Sequence, residues 1–179
     1  ESNKSSTIPV SPNNTESKSL LQSQFRFHEA IPGEIPEAIS CFRTVADQLK
    51  LPLKVDVLKR ILEEQTSQTD GRVSLQLCAA ISESLGLRTQ LLNLPVNLIG
   101  RIKTPSLISL QQNNELCVAL ASKPGKLLLA RPRSGIESLT IAQLTPLTDD
   151  SGCLPVLVLQ KTDRTPQKKF DFKWFYPAI

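Results

Sequence analysis

The stretch Ser74-Leu-Gln-Leu-Cys-Ala-Ala-Ile-Ser-Glu-Ser-Leu-Gly-Leu-Arg-Thr-Gln-Leu-Leu-Asn-Leu94 changes its periodicity at Gly86, and that change decides the fold class. Before Gly86, the apolar residues Leu77, Cys78, Ile81 and Leu85 recur at intervals of three and four, the spacing of one face of an α-helix. Ser74 is a good N-cap, because its hydroxyl can accept a hydrogen bond from an amide in the first helical turn, and Gly86 is the residue type that stops a helix. After Gly86 the chain breaks into short aliphatic runs separated by turn residues, which is the signature of strands.

Working towards the N-terminus, two more helices are predicted. Ala38, Cys41, Phe42, Val45 and Leu49 share a face, with Pro36 suited to a first-turn position. Pro52 then breaks the chain before a second helix whose apolar face is Val55, Leu58, Ile61 and Leu62. Towards the C-terminus, strands are predicted over 88–94, 106–110, 116–121, 126–130 and 154–160. Asn113-Asn114 and Pro124-Gly125 read as hairpin connections, and residues 138–144 as one short helical turn. Three helices followed by about five antiparallel strands make an α+β fold, with the helices packed on one side of the sheet.

The two ends read differently from this core. Residues 1–24 are rich in Ser, Asn, Thr and Lys and lack periodicity, so they are expected to form a disordered linker. Residues 25–161 are the expected globular domain. Five of the eight aromatic side chains of the chain fall in its last ten residues, Phe170, Phe172, Trp174, Phe175 and Tyr176, with Lys168, Lys169 and Lys173 beside or among them. Basic residues followed by Trp and Tyr are how a chain approaches a bilayer from the cytoplasm, so 162–179 is expected to be a juxtamembrane segment leading to a transmembrane domain, the alternative being an aromatic tail folded back on its own domain.

Composition narrows the function classes. The formal charge of +4 is modest, and aromatic residues are sparse before residue 170, so a stacking surface for single-stranded nucleic acid is not expected. The four cysteines (Cys41, Cys78, Cys117, Cys153) are widely spaced, and His28 is the only histidine, which is not the clustered pattern of a metal site. Each cysteine lies in an apolar run and reads as a small buried hydrophobe of a reducing compartment.

The layout, together with Phe172-Lys173-Trp174-Phe175-Tyr176-Pro177-Ala178, resembles the N-terminal papain-like domain of bacterial ABC exporters. Such domains are double-glycine leader peptidases in bacteriocin exporters and occur without activity in hemolysin-type secretion transporters. The resemblance covers roughly Phe25 to Ile179 and implies a papain-like cysteine peptidase fold. It also implies a catalytic cysteine at the start of the first helix, a histidine opening a strand, and an aspartate at the end of the next strand. Matched to these motifs, Glu37 stands at the cysteine position, Leu116 at the histidine position and Arg131 at the aspartate position. None of the three can do the work of a thiolate, an imidazole or the carboxylate that orients it. An ion pair between Glu37 and Arg131 across the old cleft is one expected arrangement.

The resemblance therefore implies a non-catalytic domain on the cytoplasmic face of the bacterial inner membrane. Its partners would be the unfolded secreted polypeptide and the transporter's own transmembrane and nucleotide-binding domains. Glu37, Phe42, Leu116 and Arg131 would border the substrate groove, and Lys168, Lys169, Lys173, Trp174 and Tyr176 would be membrane-proximal. No cofactor is expected in this chain; ATP and Mg²⁺ would belong to the nucleotide-binding domain. The domain alone is expected to be monomeric and the full transporter dimeric. The alternative is a scaffold or regulatory module that braces the transporter without touching substrate.

Overall fold

In the computed structural model of the chain, residues 25–112 and 114–165 are described. The expected linker 1–24 and most of the expected juxtamembrane segment, including Lys168, Lys169, Lys173, Trp174 and Tyr176, lie outside the described residues. Three helices come first: α1 (Glu34–Leu49), α2 (Val55–Ser67) and α3 (Leu75–Ser84). The Ser74 hydroxyl caps α3 by accepting from the amide of Leu77 at 3.1 Å, as the sequence predicts.

Six strands follow: β1 (Arg88–Pro95), β2 (Ser106–Leu110), β3 (Glu115–Lys123), β4 (Lys126–Arg131), β5 (Gly135–Thr140) and β6 (Cys153–Gln160). They form one antiparallel sheet in the order β1-β6-β2-β3-β4-β5. The last strand is thus inserted between the first two, where Leu157 lies between Leu91 and Leu107. The sixth strand, β5, joins the five that the sequence predicts. Helix α4 (Ile141–Leu144) is shorter than the predicted turn over 138–144, because Thr140 and Gln143 form a reciprocal capping box that starts the helix only after β5 ends.

Both faces of the sheet are covered. On one, Leu107, Val118, Leu128, Ile136, Leu157 and Leu159 pack under the three helices, against residues such as Phe42, Leu62 and Cys78. On the other, Ile108, Cys117, Leu127, Leu129 and Val156 pack with Leu144 of α4 and with Ile99 of a 3-10 helix spanning Val96–Arg101. A bulge between Ala119 and Ala121 turns both Leu120 and Ala121 towards the helical side. The 3-10 helix sits so close to the β3–β4 turn that a Cβ at Gly100 would lie 2.5 Å from the carbonyl oxygen of Lys123, so only glycine fits there.

Leu157 is fully buried at the centre of the helix–sheet core. Leu157→Ala is expected to cost about 2–5 kcal/mol, read as a lower urea midpoint at unchanged slope. Leu91→Ala, at a side chain that is 45% exposed on the outer strand, should cost much less.

Candidate functional site

The N-terminal turn of α1 faces the β2–β3 connection and the start of β3. Between them lies a cleft of about 170 Å³ lined by Glu34, Glu37, Arg72, Leu75, Asn114 and Leu116, among others. Two of the three positions matched to catalytic residues, Glu37 and Leu116, therefore meet in one cleft. Glu37 is only 5% exposed, and a buried carboxylate needs a donor or a counter-charge. Arg133 supplies it, its Nε donating to Glu37 Oε1 and its Nη2 to Oε2 at 3.3 Å. The hydrogen bond to Glu37 and the negative charge behind it hold the Arg133 guanidinium above its usual range.

Arg131 is elsewhere, which corrects the expected Glu37–Arg131 pair. Along β4, Leu128 and Ala130 point to the helices while Leu127 and Leu129 point away, so the alternation puts Arg131 on the face opposite α1. There it makes a two-pronged bond with Glu115, Nε to Oε1 at 3.1 Å and Nη2 to Oε2 at 2.7 Å, and a third bond from Nη1 to Glu137 at 3.3 Å. Glu115 is 2% exposed, and its hydrogen bonds raise the Arg131 pKa. The β4–β5 turn, closed by the Ser134 amide on the Arg131 carbonyl at 3.0 Å, brings Arg133 rather than Arg131 over to α1.

Phe42 is 2% exposed and belongs to the core, so it does not line the cleft as expected; it sits beyond Glu37 on the inward face of the same helix. Sequence reasoning missed Arg133, Glu115 and Glu137. The signal available was a pair of basic residues at Arg131 and Arg133 flanking a turn, and an acid opening an otherwise aliphatic strand.

His28 is buried, its Nε2 lies 2.5 Å from Asp47 Oδ2, and its backbone carbonyl accepts from Ser40 Oγ at 2.5 Å. Cys41 is turned the other way, into the core, and its thiol donates to the carbonyl of Leu116 at 3.4 Å. Burial pushes the thiols of Cys41 and Cys117 well up and that of Cys78 up to about 12. All four cysteines are free thiols; Cys153 is half-buried rather than buried as expected. Among the described residues no group of His, Cys, Asp and Glu could hold a metal ion, and no helix is long and apolar enough to cross a membrane.

This arrangement of helices and sheet defines the class: the chain has the fold of the peptidase domains of ABC transporters. It superposes with a TM-score of 0.61 on a double-glycine-motif protease from an AMS/PCAT transporter, crystallised with its leader peptide. The match is 13% identical and covers 77% of this chain and 92% of that one. It is similar too, with a TM-score of 0.59 and 12% identity, to the peptidase domain of Streptococcus ComA, a bifunctional ABC transporter of a quorum-sensing pathway, over 77% of this chain and 99% of that one. No protein-family model matches the chain, and a comparison with curated protein sequences finds no match.

Two outcomes follow from the charges and thiols. Arg131→Met alone leaves the buried Glu115 carboxylate without its charged partner and is expected to cost about 3–5 kcal/mol, whereas combining it with Glu115→Leu should be close to neutral. Chemical denaturation of the two variants beside the wild-type chain measures this directly. The thiols predict an alkaline limb. Unfolded, they ionise from about pH 9, while folded they keep their protons to higher pH, so the folded state binds more protons there. Stability should be independent of the thiols below pH 9 and fall above it, and Cys78→Ala should flatten that fall. Native-state alkylation should label Cys153 well before Cys41, Cys78 and Cys117.

Proposed function

We propose that the chain is a non-catalytic, peptidase-like domain of a type I secretion ABC exporter, and that its cleft recruits the unfolded exported polypeptide. The observation that carries this reading is the cleft itself, open between α1 and β3 but furnished with Glu37 and Leu116 where the fold's peptidases would need a thiol and an imidazole. A thiolate nucleophile needs a base within hydrogen-bond reach. Here the one imidazole is engaged by Asp47, and the nearest thiol of α1, Cys41, is held protonated by burial and bonded to a carbonyl. These features support loss of peptidase chemistry with retention of the groove.

Peptide binding needs less than catalysis does. An extended segment can place side chains against Leu75, Val73 and Leu116, and can exchange backbone hydrogen bonds with polar groups such as Ser109 and Asn114 at the rim. The structural neighbour holding a leader peptide supports a peptide ligand for this fold. In this reading the domain lies on the cytoplasmic side of the inner membrane, needs no cofactor of its own, and is monomeric by itself within a dimeric transporter. ATP and Mg²⁺ are used by the nucleotide-binding domain.

Binding should be weak, about micromolar or weaker, because ordering a disordered polypeptide consumes part of the interaction energy. Titrating the chain with the exported protein held unfolded, without nucleotide, should shift the amide resonances of Glu37, Val73, Leu75 and Leu116. Arg72→Glu, at the cleft rim, should change the affinity. Shifts confined to the sheet face opposite the helices, or none at high concentration, would instead favour the bracing role.

A further inference from the structure

A second groove, of about 380 Å³, lies between α2 and the C-terminal end of α3, away from the cleft. Its walls are mainly apolar, with Leu53, Val57 and Ile61 on one side, Ile81 and Leu85 on the other, and Arg164 at one end. Val57 is 47% exposed, one of the few large aliphatic side chains of the described residues that face solvent. An apolar furrow of this kind is a docking surface when something of matching chemistry can reach it.

The last described residues of the chain lie beside this groove. After β6 it turns back against the end of α3, where the hydroxyls of Thr162 and Thr165 both donate to the carbonyl of Gly86 at 2.8 Å. A Cβ at Gly86 would meet the carbonyl oxygen of Arg164 at 2.9 Å, and its φ of +87° is one that glycine adopts freely. Thr165 is 7% exposed, so the chain is fixed at the groove's end. The residues that follow are Pro-Gln-Lys-Lys-Phe170-Asp-Phe-Lys-Trp174-Phe-Tyr176. From Thr165, Phe170 is five residues away, a reach of up to about 17 Å. If extended, Phe170, Phe172 and Trp174 share one face, with Asp171 and Lys173 on the other. One apolar edge is what a furrow walled by two helices can bury.

We propose that this α2–α3 groove is the docking site of the chain's own C-terminal aromatic segment, Phe170–Trp174. The inference does not rest on peptide recruitment by the cleft, and the two can fail separately. Docking would fix the angle at which the chain leaves the domain, and would cover apolar surface on both the groove and the segment.

Trp174 is the only tryptophan in the chain, so its fluorescence reports on the segment alone. In the full chain without lipid, its emission is expected to be blue-shifted and protected from iodide, independently of protein concentration. Val57→Asp with Ile61→Asp should shift the emission to the red and remove the protection, while Lys59→Glu on the exposed side of α2 should change neither. Phe170→Ser with Phe172→Ser should release Trp174 without touching the groove, which keeps the test valid if the α2 variant unfolds. Water-like emission in the wild-type chain would overturn the proposal. So would protection that appears only with vesicles of anionic phospholipid, which would assign the segment to the membrane, or only at high concentration, which would assign it to a second copy.

Discussion

Two buried carboxylates set the terms for the end of the molecule that carries the cleft. Glu37 and Glu115 are each almost fully enclosed, on opposite faces of the sheet, and neither position is tolerable for a lone charge. Arg133 and Arg131, two residues apart, answer them one on each side. The β4–β5 turn is therefore tied both to α1 and to the start of β3, and the geometry of the cleft follows from those ties. Pairs of this kind add little net stability over well-packed apolar residues, but removing one partner is costly, so they constrain the arrangement more than they strengthen it.

That constraint also bears on the chemistry the cleft can host. The turn brings a guanidinium to the N-terminal end of α1, where the helix dipole and exposed amides would favour a thiolate. With the Glu37 carboxylate at that end and the Arg133 cation on it, the local charge is satisfied, which is what the proposed loss of peptidase chemistry rests on. The nearby half-buried side chains of Val73 and Leu116 line the cleft beside it. The helix–sheet packing behind the cleft, through residues such as Phe42 and Val118, holds its shape together with those ties, and neither support depends on a reactive group.

Much of this architecture was legible in the sequence. The change of period at Gly86, the Ser74 cap and the five aliphatic runs gave the order of helices and strands, since each depends on local pattern. β5 was not legible, because the sheet is covered on both faces: Ile136 packs towards the helices and Leu139 away from them, so Gly-Ile-Glu-Ser-Leu-Thr shows no clean alternation. The cleft was legible in part, through Glu37 and Leu116. The partner of Glu37 was misassigned because a one-sided view of β4 ignores strand parity, which turns Arg131 away and leaves the turn residue Arg133 to reach α1. The burial of His28 depends on Asp47 and Ser40, nineteen and twelve residues away, and no local pattern announces such a contact.

The proposed loss of peptidase chemistry can be measured by incubating the chain with a peptide carrying a double-glycine leader and following the products by mass spectrometry. The peptide is expected to stay intact at all times, with no difference between the wild-type chain and Cys41→Ala. Cleavage after the double glycine that disappears in Cys41→Ala would contradict it, and would make a thiol that is here buried and bonded to Leu116 the nucleophile of an active enzyme.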